Sequence, residues 1–147
     1  MIISQLDLFC SALAVSAAAG TALRGDVIDI GPVSRDIGSG QPTYLIVVVT
    51  TAFIGATATV NIKLASDAAA AIATDGSASV HYQTGAIPIA NLIAGKAYVT
   101  ALPQGVTYER YLGVLVTTAT ATTTAGSISA FLSPDPTGWK AYPDALS

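Results

Sequence analysis

The chain has 147 residues, of which 52% are hydrophobic and only 10% charged, with a formal net charge of −3. That length suits one domain with a full core, and so little charge excludes a self-repelling disordered polymer. The basic residues Arg24, Arg35, Lys63, Lys96, Arg110 and Lys140 never cluster. This argues against nucleic acid or an anionic membrane as partner, because each calls for a basic stripe.

Residues 1–10 read as an N-terminal arm containing Ile2, Ile3 and Leu6. The stretch from Leu6 to Ala19 is fairly apolar, but the first basic residue is Arg24 and Asp7 interrupts the run, so it does not read as a signal peptide. Cys10 is the sole cysteine, which precludes an intrachain disulfide and a cysteine metal cluster. It reads as a small buried hydrophobe; the alternative is a thiol at a symmetry axis that bridges two subunits.

Short β-favouring runs separated by Gly, Pro and Asp then follow. Residues 26–30 form a strand ending at Gly31-Pro32. Residues 43–51 are unbroken Thr, Tyr, Leu, Ile and Val, which predicts a central strand covered on both faces. Over 57–66 the pattern alternates, with Ala58, Val60, Ile62 and Leu64 on one face. The run 67–75 carries four alanines and predicts a helical turn capped by Asp67. Strands are predicted at 79–83, at 86–90 on an edge because of Pro88, and at 96–102. Two more follow at 111–118, with Leu112, Val114 and Val116 on one face, and at 126–132, with Ile128, Ala130 and Leu132. The Thr-rich piece 117–125 between them reads as two strand ends and a loop. About eight strands with no intervening helix predict an all-β, single-domain antiparallel sandwich of jelly-roll type over 1–147. The tail 133–147 holds Pro134, Pro136 and Pro143 with Trp139 and Tyr142, and reads as an irregular arm with two aromatic anchors.

No reactive constellation stands out. His81 is the only histidine and Glu109 the only glutamate. A lone histidine on a strand reads as structural, and Glu109 has Arg110 beside it as a ready partner. The Gly-rich run Ile37-Gly38-Ser39-Gly40 lacks the lysine and helix of a phosphate loop and reads as a turn. Arg24-Gly25-Asp26 spells an adhesion triplet, but three residues are a weak match and its plain reading is a loop into a strand. The expectation is therefore no enzymatic activity, no cofactor and no metal.

Three segments carry a family resemblance: Val27-Ile28-Asp29-Ile30-Gly31 with Arg35-Asp36-Ile37-Gly38-Ser39-Gly40-Gln41-Pro42-Thr43-Tyr44-Leu45; Ile87-Pro88-Ile89-Ala90-Asn91-Leu92; and Tyr108-Glu109-Arg110-Tyr111-Leu112. They resemble the capsid cement, or decoration, proteins of short-tailed bacteriophages over roughly residues 5 to 132, through turns and strand starts rather than a reactive signature. The resemblance implies a jelly roll on the outer surface of a virion, made in the host cytoplasm. It implies binding to a major capsid protein of HK97-like fold and association as a homo-oligomer, with a dimer favoured and a trimer possible. Arg35, Asp36, Glu109 and Arg110 would be structural polar positions that order loops or pair across contacts. Ile2, Ile3, Leu6, Trp139 and Tyr142 are the candidate capsid or subunit contacts. The runner-up is a carbohydrate-binding or adhesin sandwich of a phage or bacterial surface, which calls for an aromatic platform that scattered tyrosines do not spell out.

Overall fold

The computed structural model describes residues 5–32 and 40–136. Ile2, Ile3, Arg35, Asp36, Trp139 and Tyr142 lie outside the described residues, as do the rest of 1–4 in the expected N-terminal arm and of 137–147 in the expected tail. Among the described residues the strands are β1 (Leu8–Ala14), β2 (Gly20–Asp29), β3 (Tyr44–Gly55), β4 (Thr59–Asp67), β5 (Ser79–Gln83), β6 (Ile87–Pro88), β7 (Ala97–Ala101), β8 (Tyr111–Ala119) and β9 (Thr123–Ser133). Short 3-10 turns occupy Gln5–Asp7 and Ile89–Asn91.

The strands form two antiparallel sheets. The first runs β1-β9-β3-β7; the second runs β2-β8-β4-β5, with the two-residue β6 also on β4. Setting β6 aside, this is the strand order of a jelly roll, in which the chain passes repeatedly between two four-stranded sheets. Alternation explains the packing. Val60, Ile62 and Leu64 of β4 and Leu112, Val114 and Val116 of β8 face Leu45, Val47 and Val49 of β3 and Ile128, Ala130 and Leu132 of β9. All are buried, as a two-sheet core requires.

Strand β3 is covered on both faces, as its unbroken apolar run predicts. Ile46 and Val48 join Phe131 in a separate cluster on its other face, against Leu8, Tyr44 and Ala97. The second sheet also has buried residues on its outer side: Ala65, Ile72, Ala78 and Leu115 form a small cluster beside Leu23 and Val27.

Four differences from the sequence expectation have physical causes. Leu8 to Cys10 are not arm but the start of β1, an edge strand whose ladder with β9 is bulged twice. Ala12 within it sits at φ 45°, so its apolar residues do not alternate. Strand β2 begins well before Asp26, and a bulge between Arg24 and Ile28 breaks its pattern. Gly25 occupies that bulge at φ 79°, where a Cβ would strike the Phe9 carbonyl. The 67–75 run forms bends, not a helical turn. Asp67 still caps it, accepting from the amides of Ala69 at 3.2 Å and Ala73 at 3.0 Å, while Ile72 is drawn into the outer cluster. The 86–90 piece is two residues of ladder followed by a 3-10 turn, consistent with Pro88 removing a donor at an edge.

Candidate functional site

Register brings distant polar residues together at one end of the second sheet. Ser66 on β4 pairs with Ser79 on β5, and Asp67 pairs with Tyr111 on β8. The segment just before β8 therefore crosses the ends of β4 and β5, and Glu109 lands beside both serines. The fully buried Ser66 hydroxyl accepts the Glu109 amide at 3.1 Å and lies 2.7 Å from His81 Nε2. With one donor and two lone pairs, the hydroxyl can hold both partners at once. Burial pushes the His81 pKa down, partly opposed by the nearby Glu109 charge. The imidazole sits 4.3 Å from the ring of buried Tyr108, whose hydroxyl donates to the Pro103 carbonyl at 2.7 Å. The Glu109 carboxylate accepts from the Ser79 hydroxyl at 2.7 Å.

A second tie lies on the other side of β8. Asp29 at the end of β2 is in register with Tyr111, so Arg110 is within reach of its carboxylate. The guanidinium grips it with two bonds, Nε to Oδ1 at 3.0 Å and Nη2 to Oδ2 at 2.8 Å. The same guanidinium lies 5.0 Å from the Tyr111 ring centroid. The fork holds the Asp29 carboxyl below the usual carboxylate range, aided by the Gly31 amide. The expected Glu109–Arg110 pairing is thus replaced: Glu109 turns to Ser79 on β5 and Arg110 to Asp29 on β2.

Chemically, this constellation fastens a loop. Ser66 and His81 have the residue types of a nucleophile and its base, but the hydroxyl is fully buried and engaged by Glu109's amide. The carboxylate that would orient the imidazole is bonded to Ser79 instead. The Arg24-Gly25-Asp26 triplet lies in the β2 bulge, with Arg24 Nε buried. Among the described residues, no group of three His, Cys, Asp or Glu could hold a metal. Cys10 is buried, its thiol near the Ile128 carbonyl at 3.7 Å and its pKa raised by burial.

A concavity of about 970 Å³ lies between the 3-10 turn at Gln5–Asp7, the end of β2 and the end of β9. Leu6 stands on its rim at 82% exposure. Of the five candidate contacts, Leu6 alone is described, and its side chain is largely exposed.

The Bbp16 family model matches residues 9–132, from within β1 almost to the end of β9. This chain belongs to the Bbp16 family. The match covers nearly the whole jelly roll, both loop ties included. No curated protein matches the chain. Sequence reading of this Bbp16 domain singled out Glu109 and Arg110 but missed their partners Asp29, Ser66 and Ser79. Those three are small polar residues on strands, and only the registers β4–β5, β4–β8 and β2–β8 give them meaning.

Proposed function

We propose that this Bbp16-family chain is a structural virion protein: a cement protein that docks on the outer surface of a phage capsid and holds neighbouring capsomers together. Its partner in this reading is a major capsid protein of HK97-like fold, and it works as a homo-oligomer, favoured as a dimer, without catalysis or cofactor. The observation that carries the reading is the use made of Glu109 and Arg110, at the heart of the segment that resembles cement proteins. Both lock the loop before β8 onto strands on either side. A scaffold stiffened in this way loses little entropy when a pre-ordered surface docks.

The mechanism follows from mass action. A protein that binds only the assembled shell stabilises that state, and an oligomer touching several capsomers gains from effective concentration even when each contact is weak. The contacts assigned are the chain ends: Ile2, Ile3 and Leu6, together with Trp139 and Tyr142, large aromatics of the kind that anchor interfaces. The test is co-sedimentation with shells of the cognate capsid protein, together with the rupture temperature of bare and decorated shells. Decorated shells should survive to higher temperature, and Trp139→Ala should weaken binding by about tenfold or more while leaving the free protein folded. Bare and decorated shells that rupture together would overturn the reading; a Trp139→Ala chain that unfolds would remove the tail from the contact surface.

A further inference from the structure

Each sheet ends in two edge strands, and a sandwich must protect all four from pairing with other chains. Three are protected by irregularity. The ladders of β1 with β9, of β2 with β8 and of β5 with β4 all carry register shifts. The fourth edge, β7, pairs with β3 in unbroken register from Tyr44↔Ala101 to Val48↔Ala97. Among the described residues β3 is its one partner strand. Its sequence, Ala-Tyr-Val-Thr-Ala, contains no charge and no proline. Val99 at its centre is 42% exposed.

Hydrogen-bond parity fixes which groups face outward. The Leu102 amide donates to the Thr43 carbonyl and the Val49 amide to the Lys96 carbonyl, so the even-numbered residues face β3. The amides and carbonyls of Ala97, Val99 and Ala101 therefore point to the open edge. We propose that this edge is the dimer contact, pairing antiparallel with β7 of a second copy about a two-fold axis at Val99. The inference deepens the homo-oligomer reading given above and rests on it.

The register is self-complementary. With Val99 opposite Val99 of the partner subunit, Ala97 of each copy faces Ala101 of the other. All are outward-bonding positions, so each facing pair exchanges both backbone bonds. The flanking Lys96 falls opposite Leu102, and no like charges meet. Pro103, which lacks an amide, ends the ladder at one side, and the Gly95 amide, already bonded to the Val49 carbonyl, ends it at the other. A ladder this short buries less than the roughly 800 Å² per partner of a standard interface. The dimer is therefore concentration-dependent, with a dissociation constant of micromolar order or weaker, about 10 μM.

Sedimentation velocity of the full chain across about 1 to 500 μM tests this. Wild type should pass from monomer to dimer. Val99→Lys sets like charges face to face on the axis and should raise the dissociation constant at least about tenfold. Val80→Lys, on the bulged β5 edge, should leave it unchanged. Because a variant may lose its fold for other reasons, circular dichroism accompanies each one, and Val99→Cys supplies a second readout: oxidation should join two chains through the introduced thiols. A wild-type chain that stays monomeric at 500 μM overturns the proposal. So does a folded Val99→Lys chain that dimerises like wild type, or a Val80→Lys chain that does not. Capsid co-sedimentation is independent of these outcomes: a monomer that still binds shells sinks the edge contact alone.

Discussion

Ser66→Ala is the most direct probe of how the loop before β8 is held. The hydroxyl is fully buried and makes two bonds, accepting the Glu109 amide at 3.1 Å and sharing a hydrogen bond with His81 Nε2 at 2.7 Å. Removing it loses two hydrogen bonds at about 1 kcal/mol each and leaves a partly buried amide unpaired, for up to about 1 kcal/mol more. The expected cost is thus about 2–3 kcal/mol, with a cavity no larger than one oxygen. For a chain of this size that lowers Tm by about 5–10 °C. Calorimetry and urea unfolding measure it, with Ser79→Ala as the control. The Ser79 hydroxyl meets the same glutamate from an exposed position, and its loss should cost about 0.5 kcal/mol or less. A Ser66→Ala cost below about 0.5 kcal/mol, or equal costs for the two serines, would refute the claim that Ser66 is the buried node of the tie.

Acid should weaken the fold in two stages. With its folded pKa held below the ordinary 6.5, His81 contributes stability that is complete above that value and declines as pH falls toward the folded one. Asp29, Asp67 and Asp75, all lowered by hydrogen bonds to their charged forms, contribute above 3.8 and lose that contribution below it. His81→Gln should abolish the upper stage and keep the lower, and urea unfolding between pH 7 and 3 checks this; an unchanged profile from pH 7 to 5 would contradict it. Gly126→Ala should cost about 1–3 kcal/mol, because the residue lies at φ 142° and a Cβ would come 2.6 Å from the Phe53 ring. Adding Phe53→Leu should relieve the steric part, so the double variant loses less than the sum of the two; strictly additive costs would assign the strain to the backbone alone.

The sandwich was legible where the strands obey simple alternation. Val60, Ile62 and Leu64, the matching triplet in β8 and the one in β9 all face the core as their spacing predicts. What could not be read is where tertiary contact overrides alternation. Leu115 points away from the main core yet is buried, because the segment after β4 folds over the outer face of the second sheet and brings Ile72 and Ala78 onto it. Strand β1 was missed because two bulges and the positive φ at Ala12 scramble its pattern. The polar ties were half legible. Rarity drew attention to Glu109, and its neighbour Arg110 came with it, but no local signal links Arg110 to Asp29, 81 residues away.

A chain with so few charges must build its surface from neutral groups, and the second sheet shows how. Across its outer face, Thr21 on β2 bonds Thr117 on β8 at 2.8 Å. Asn61 on β4, in register with Thr117, bonds Gln83 on β5 at 3.3 Å. These side chains satisfy one another within the sheet, so they are fixed before any partner arrives. Among the described residues the one ion pair is Arg110–Asp29, and it serves the loop rather than this face. Lys63 adds a charge to this same face of β4, in register with Leu115 and Gln83, so the ties order a face that is mostly, not wholly, neutral. On the cement-protein reading proposed above, many weak, matched contacts acting in parallel would supply affinity that so sparse a charge cannot.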